Sequence, residues 1–359
     1  MLVVENLTKD FLSYTYKKFS VPMNYIPLLY FYYKIAERTG GIERKVVRVL
    51  DNITFRVKQG EVLAILGPNG SGKTTLLRIL AGLSEPTSGA ISWNGEDLTW
   101  LPERRQRLCM YIPGLLGARI FTDSSLTVRN NLRRFAEFCG ASGSKVDEVL
   151  ALTGLDEVKD SFIYELSTGY LARITIAIGL IRDAEVYLLD ETFLGLSLET
   201  KNALMDYVRD SLASRMEKAV ILATNDIRDA ERIADRFLFL YNGRVVEEGD
   251  VRSLLGKFKL GDRIKISVRC ELSSELVRSL ESYGKVSYRV EYGTVELTVL
   301  VEDAERAIPV ILGEVVSRGC VPSSLSVDRP TLEDVYMHLY ADKWKKPQAS
   351  EVTGCYVVM

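Results

Sequence analysis

The chain has 359 residues, 47% of them hydrophobic and 26% charged, with a formal net charge of −2 at pH 7. That length suits about two domains, that composition excludes a disordered chain, and the near-neutral balance offers no bulk attraction to nucleic acid. The opening Met1-Leu-Val-Val-Glu5 lacks the basic and apolar regions of a secretory leader, and no apolar run approaches the ~18 residues of a membrane span, so the chain is not expected to cross a membrane itself. Five cysteines (Cys109, Cys139, Cys270, Cys320 and Cys355) stand apart without paired spacing. They are expected as core filler in a reducing compartment rather than as a zinc site.

In chain order, residues 2–8 read as a strand. Leu12 to Val46 follows, crowded with Tyr14, Tyr16, Phe19, Tyr25 and Tyr30 to Tyr33 and broken by Pro22 and Pro27. This insertion either packs on its own domain as a hairpin or short helix, or presents a docking surface to a membrane partner. Val47 to Val57 is a strand, Ala90 to Trp93 another, and Asn94-Gly95 a hairpin turn, together giving a small antiparallel sheet. Arg107 to Ile112 reads as a strand. Helices are expected from Ser125–Val128 to Phe138, over Lys145 to Leu152 and over Tyr170 to Ile181. The strand Val186 to Leu189 ends in Asp190 and Glu191. A helix over Leu198 to Ser214, a strand over Ala219 to Ala223 and a helix over Ile227 to Ala234 follow, and a hairpin across Asn242-Gly243 closes the domain. Strands alternating with helices indicate a parallel sheet that binds ligands at the strand C-terminal ends. From Asp262 the order becomes βαββαβ, a split ferredoxin-like arrangement, followed by a last helix over Leu332 to Tyr340. The expected domains are 1–254, with 12–46 as an insertion, and 258–340, before a tail over 341–359.

The chemistry is concentrated between Val62 and Leu80. Val62 to Leu66 is a continuous apolar run of strand length, and Leu76, Leu77, Ile79 and Leu80 recur at helical spacing. Between them stand Gly67, Pro68, Asn69, Gly70, Ser71, Gly72, Lys73, Thr74 and Thr75. The glycines permit backbone conformations that turn successive N–H groups toward a phosphate at a helix N-terminus. Lys73 then reaches the β and γ phosphates, and the Thr74 hydroxyl is a ligand for Mg²⁺. A glycine-rich loop with a coincidental lysine is the competing reading, and the strand before it and the helix after it argue against that. Paired acids at a strand end, such as Asp190 and Glu191, could be a solvated turn; beside a phosphate loop they suit metal and water chemistry.

With the phosphate loop, Leu166-Ser-Thr-Gly169, Val186 to Glu191 and Thr224-Asn225-Asp226 in that order, residues 1–254 resemble the ATPase subunit of the ATP-binding cassette (ABC) transporter family. The resemblance implies a P-loop α/β core with a helical subdomain, a head-to-tail dimer, and Ser167 and Gly169 serving the γ phosphate on the other cassette. It implies that Asp190 holds Mg²⁺ through water and that Glu191 is the general base. Phe11 matches the aromatic that stacks on adenine, although a core phenylalanine on an edge strand fits it too. Several positions depart from the family pattern. Gly114 stands where a Gln contacts Mg²⁺ and the membrane subunit, and Gln106 lies at the wrong end of that strand. Asn225 stands where a His meets the γ phosphate, and the only histidine is His338. Thr168 and Tyr170 alter the signature, Thr192 replaces a Pro, and Ser197 replaces an Asp.

The C-terminal region, ending Arg329-Pro-Thr-Leu-Glu-Asp-Val-Tyr336, resembles the extension of exporter ATPases of the drug, polysaccharide and antibiotic-resistance branch. The implied protein is a peripheral cytoplasmic ATPase that binds ATP and Mg²⁺ and pairs with an integral membrane subunit and a second cassette, without nucleic acid. Because of Gly114 and Asn225, a slow ATP-binding switch beside a competent partner remains open. A non-transport ABC ATPase working on DNA or ribosomes remains open as well.

Overall fold

A computed structural model of the protein describes residues 1–16, 42–114, 122–258, 260–269, 273–291 and 294–344. The chain divides into two compact units between Glu248 and Gly249, six residues before the boundary expected from sequence. The boundary falls just before a short helix, Val251–Phe258, which the sequence pattern does not reveal.

The first unit holds two sheets. Strands β1 (Leu2–Tyr16), β2 (Ile42–Val57), β4 (Ser88–Trp93) and β5 (Glu96–Asp97) form an antiparallel sheet of order β2-β1-β4-β5. The arms of the expected insertion, residues 12–16 and 42–46, continue β1 and β2, with Tyr16 opposite Ile42. Its aromatic stretch from Phe19 to Tyr33 lies outside the described residues, as does the tail beyond Trp344. Asn6 and Asn52 take positive φ of 50° and 58° within the paired stretch of β1 and β2, where the register shifts. Asparagine tolerates that left-handed geometry better than other residues with a Cβ.

The central sheet contains β3 (Val62–Leu66), β6 (Cys109–Pro113), β7 (Val186–Asp190), β8 (Ala219–Thr224), β9 (Arg236–Tyr241) and β10 (Arg244–Gly249), in the order β10-β9-β3-β8-β7-β6. Pairings β3/β8, β3/β9, β6/β7 and β7/β8 are parallel. Every residue of β3, β7 and β8 is buried, because a parallel sheet is covered on both faces and its strands become uniformly apolar. On one face, the helix Lys73–Leu80 inserts Leu76, Leu77, Ile79 and Leu80 into a core shared with the antiparallel sheet. On the other, the helices Val128–Cys139, Gly143–Leu152 and Thr168–Ile181 pack around Ile174, Leu189 and Leu222.

Two elements differ from expectation. Arg107 and Leu108 belong to a helix, Pro102–Leu108, which runs directly into β6 at Cys109. The long helix from Leu198 is α-helical only to Asp206 and continues as π-helix over Tyr207–Arg215.

The second unit has β11 (Asp262–Arg269), β12 (Lys285–Glu291), β13 (Thr294–Val301) and β14 (Val321–Asp328), all antiparallel, in the order β12-β13-β11-β14. The helices Ser274–Glu281 and Ala304–Ser317 share one apolar core with the sheet, including Leu276, Leu280, Ile311 and Val315. The helix Leu332–Trp344 follows, and His338 packs against the Phe258 ring at 5.2 Å. Cysteine usage needs one correction. Cys109 is a buried free thiol, pushed up to about 12 by burial, as core filler should be. Cys320, however, is disulfide-bonded, with its partner outside the described residues.

Candidate functional site

The parallel register puts the C-terminal ends of β3, β6, β7 and β8 at one edge, which is where the sequence-predicted residues gather. From β3 the chain turns through Gly67 to Gly72 into the helix Lys73–Leu80. A Cβ on Gly67 would lie 2.2 Å from the Leu240 carbonyl oxygen, and Gly72 holds φ at 109°, a region that residues with a Cβ avoid. Pro68 is half-buried, whereas Asn69 and Gly70 are exposed at the tip. The Ser71 N–H donates to the Pro68 carbonyl at 3.1 Å, but Ser71 Oγ is buried with no hydrogen-bond partner. A buried hydroxyl left unsatisfied costs about 1–3 kcal/mol, so an orphan in this loop fits a site built for a ligand oxygen.

Lys73 is almost fully buried. Its Nζ donates to the Gly67 carbonyl at 2.6 Å and lies 3.8 Å from Glu191 Oε1. Burial pushes its ammonium below the ordinary lysine range, against the opposing pull of Glu191 and Asp190. Thr74 Oγ1 donates to Asp190 Oδ1 at 3.1 Å, and Tyr111 Oη donates to Asp190 Oδ2 at 2.8 Å. Thr75 follows half-buried on the same helical turn.

Glu191 sits at φ 50°, and its N–H donates to the Ala223 carbonyl at 2.9 Å, tying the end of β7 to β8. Thr224 Oγ1 donates to Glu191 Oε2 at 3.3 Å, and the Asn225 backbone beside it favours the charged carboxylate. Burial raises the Glu191 carboxyl above the usual glutamate range, partly offset by Lys73. Asn225 itself is exposed and touches the site through its backbone. Among the described residues no group of three His, Cys, Asp or Glu side chains could hold a metal. The donors present are the Thr74 hydroxyl and the Asp190 carboxylate, which suit a Mg²⁺ that keeps most of its water and shares nucleotide phosphates.

The departures from the family pattern acquire physical reasons. A Cβ on Gly114 would meet the Glu191 carbonyl oxygen at 2.9 Å and that of Asp190 at 3.2 Å, so the backbone after β6 occupies the space next to the acids. Thr192 is buried and donates through Oγ1 to the Ile112 carbonyl at 2.9 Å, a bond a proline could not make. Gln106 donates to the Gly82 carbonyl instead, away from the acids. Ser167 is exposed at the N-terminal end of the helix Thr168–Ile181 and makes no capping bond. An added Cβ on Gly169 would lie 3.7 Å from the Gly195 carbonyl oxygen, in the loop after Glu191. Tyr170 Oη donates to Glu157 at 2.8 Å. Phe11 is half-buried on β1, with Lys9 Nζ 4.8 Å from its ring centre. Tyr111, Thr192 and Thr224 were not read as site residues. The signal available was polar groups inside or at the ends of apolar strands, which need a partner when buried.

A glycine-rich loop capping a helix, with a buried lysine, a hydroxyl and two acids at the ends of a parallel sheet, defines a P-loop nucleoside triphosphatase. Residues 50–194 match the ABC transporter family. The chain is 32% identical over 319 residues to the Nod factor export ATP-binding protein I of Rhizobium sp. (strain N33), covering 87% of this chain and 99% of that protein. It is 30% identical to the daunorubicin resistance ATP-binding protein DrrA3 of Streptomyces coeruleorubidus, over 84% of this chain and 94% of the relative. It is 32% identical to the methionine import ATP-binding protein MetN of Geobacillus kaustophilus (strain HTA426), over 57% of this chain and 61% of the relative. Among solved structures, the ATP-binding subunit of an ABC transporter superposes with a TM-score of 0.54 at 27% identity, covering 72% of this chain and 92% of that one. The dimeric structure of a post-hydrolysis ATP-binding cassette bound to ADP and Pi gives a TM-score of 0.55 at 22% identity, covering 70% and 98%. The chain belongs to the ABC transporter ATP-binding proteins and is an ATPase of that family.

Proposed function

We propose that this chain is the ATP-binding subunit of an exporter, acting from the cytoplasmic face of the membrane through a separate integral membrane subunit. The single observation that carries the nucleotide chemistry is the joining of loop and acids: Lys73 within 3.8 Å of Glu191, and Thr74 hydrogen-bonded to Asp190 at 3.1 Å. In this reading Gly67 to Thr75 hold the phosphates, Thr74 and Asp190 hold Mg²⁺, and Phe11 packs on the adenine. Glu191 orients the attacking water, and its proton affinity is set by burial against Lys73. When bound, Mg²⁺ supplies charge neutralisation on the phosphates. Export is supported by extent: the Nod factor export and daunorubicin resistance relatives match along nearly their whole length, the second unit included, whereas the methionine import relative matches over 209 residues. Among the described residues no helix is long and apolar enough to cross a membrane, in keeping with a separate membrane subunit.

A second reading is favoured by Gly114 and Asn225. Asparagine donates a hydrogen bond but transfers no proton, and a missing positioned acid–base group typically costs about 10² to 10⁴ in rate. The chain's own phosphate loop therefore builds a slow site, while Ser167 and Gly169 complete a faster site on a different cassette. Co-expression with a candidate integral membrane subunit tests both parts. ATP-dependent export that persists in Glu191→Gln and collapses in Ser167→Arg is the expected result. Failure to assemble with any membrane subunit would contradict the transport reading.

A further inference from the structure

Tyr111 is a phenol inside an otherwise apolar parallel strand, with its ring against the core formed by Leu63, Ile65, Leu188 and their neighbours. Its oxygen faces two groups. Arg78, on the exposed side of the helix Lys73–Leu80, is the cation beside it, and Asp190 Oδ2 lies 2.8 Å away. A carboxylate only accepts, so the phenol proton lies on the Asp190 side. The carboxylate is thereby held from both sides, Oδ2 by Tyr111 and Oδ1 by Thr74 at 3.1 Å. A carboxylate with one oxygen engaged by a rigid phenol cannot rotate freely, and its other oxygen stays beside the hydroxyl that would bind the metal. Partners that orient a metal-holding group in this way typically set its affinity by about 10- to 100-fold.

We propose that Tyr111 is a positioning residue for the divalent cation, acting through Asp190. The inference rests on the Mg-nucleotide reading of the site, and its test separates the two. In the full chain, Mn²⁺ affinity is measured by electron paramagnetic resonance in the presence of a non-hydrolysable ATP analogue, and analogue binding without metal by calorimetry in EDTA. Tyr111→Phe keeps the ring in the core and removes only the hydroxyl. It is expected to weaken Mn²⁺ binding about tenfold and to leave metal-free analogue binding unchanged. Wild-type Mn²⁺ affinity in Tyr111→Phe overturns the proposal. An equal loss of metal-free binding in Tyr111→Phe also overturns it, because that would mark a merely structural role. Absence of analogue binding in the wild type would instead sink the nucleotide reading itself.

Discussion

At the scale of single residues, the site is decided by close approaches. Gly114 is not simply a lost glutamine: its missing Cβ gives the Asp190 and Glu191 carbonyls room at 3.2 and 2.9 Å. Gly114→Gln is therefore expected to lower ATPase activity and cost about 1–3 kcal/mol of stability through overpacking, as measured by turnover and denaturant midpoint; a gain in turnover would contradict this. Asn225 is different, because its side chain is exposed, so Asn225→His is accommodated and is expected to raise turnover. Glu191 gives a pH signature. A base works deprotonated, and burial raises this carboxyl, so the acid limb of kcat should fall at a pH above the ordinary glutamate value of about 4.3. A profile flat down to that value would show that the Glu191 carboxylate is not the base.

Among elements, the first hairpin offers the cleanest test. Tyr16 and Ile42 are directly opposite in the β1/β2 ladder, the distance a two-residue turn closes. Replacing residues 17–41 by Asn-Gly should leave ATP binding unchanged in calorimetry while reducing assembly with the membrane subunit. Full assembly would refute the docking role of that segment. The elements also show what a sequence can reveal. β3, β7 and β8 were legible because double-sided burial makes them uniformly apolar, and the loop from Gly67 to Thr74 because its spacing admits few other uses. Arg107 and Leu108 were misread because the helix Pro102–Leu108 enters β6 with no intervening turn residue. The π-helix Tyr207–Arg215 was invisible because its apolar spacing is that of an ordinary helix over two turns. The Tyr111–Asp190 and Thr192–Ile112 bonds depend on lateral strand order, β6 beside β7, which nothing local in the sequence encodes.

For the whole molecule, every candidate site residue lies within the first unit, whose hydrophobic cores, among the described residues, are made of its own side chains. A chain ending at Asp250 should therefore bind ATP as the full chain does, with the second unit affecting assembly rather than nucleotide affinity; loss of binding on truncation would contradict that division. The most direct measurement is calorimetric titration of the full chain with ATP and Mg²⁺, beside Lys73→Ala. The ammonium of Lys73 is the buried cation at the centre of the loop, held at the Gly67 carbonyl and near Glu191. Saturable binding by the wild-type chain, abolished in Lys73→Ala, is the predicted result. No detectable heat at millimolar ATP, or equal binding by both proteins, would contradict the assignment of this loop as the nucleotide site.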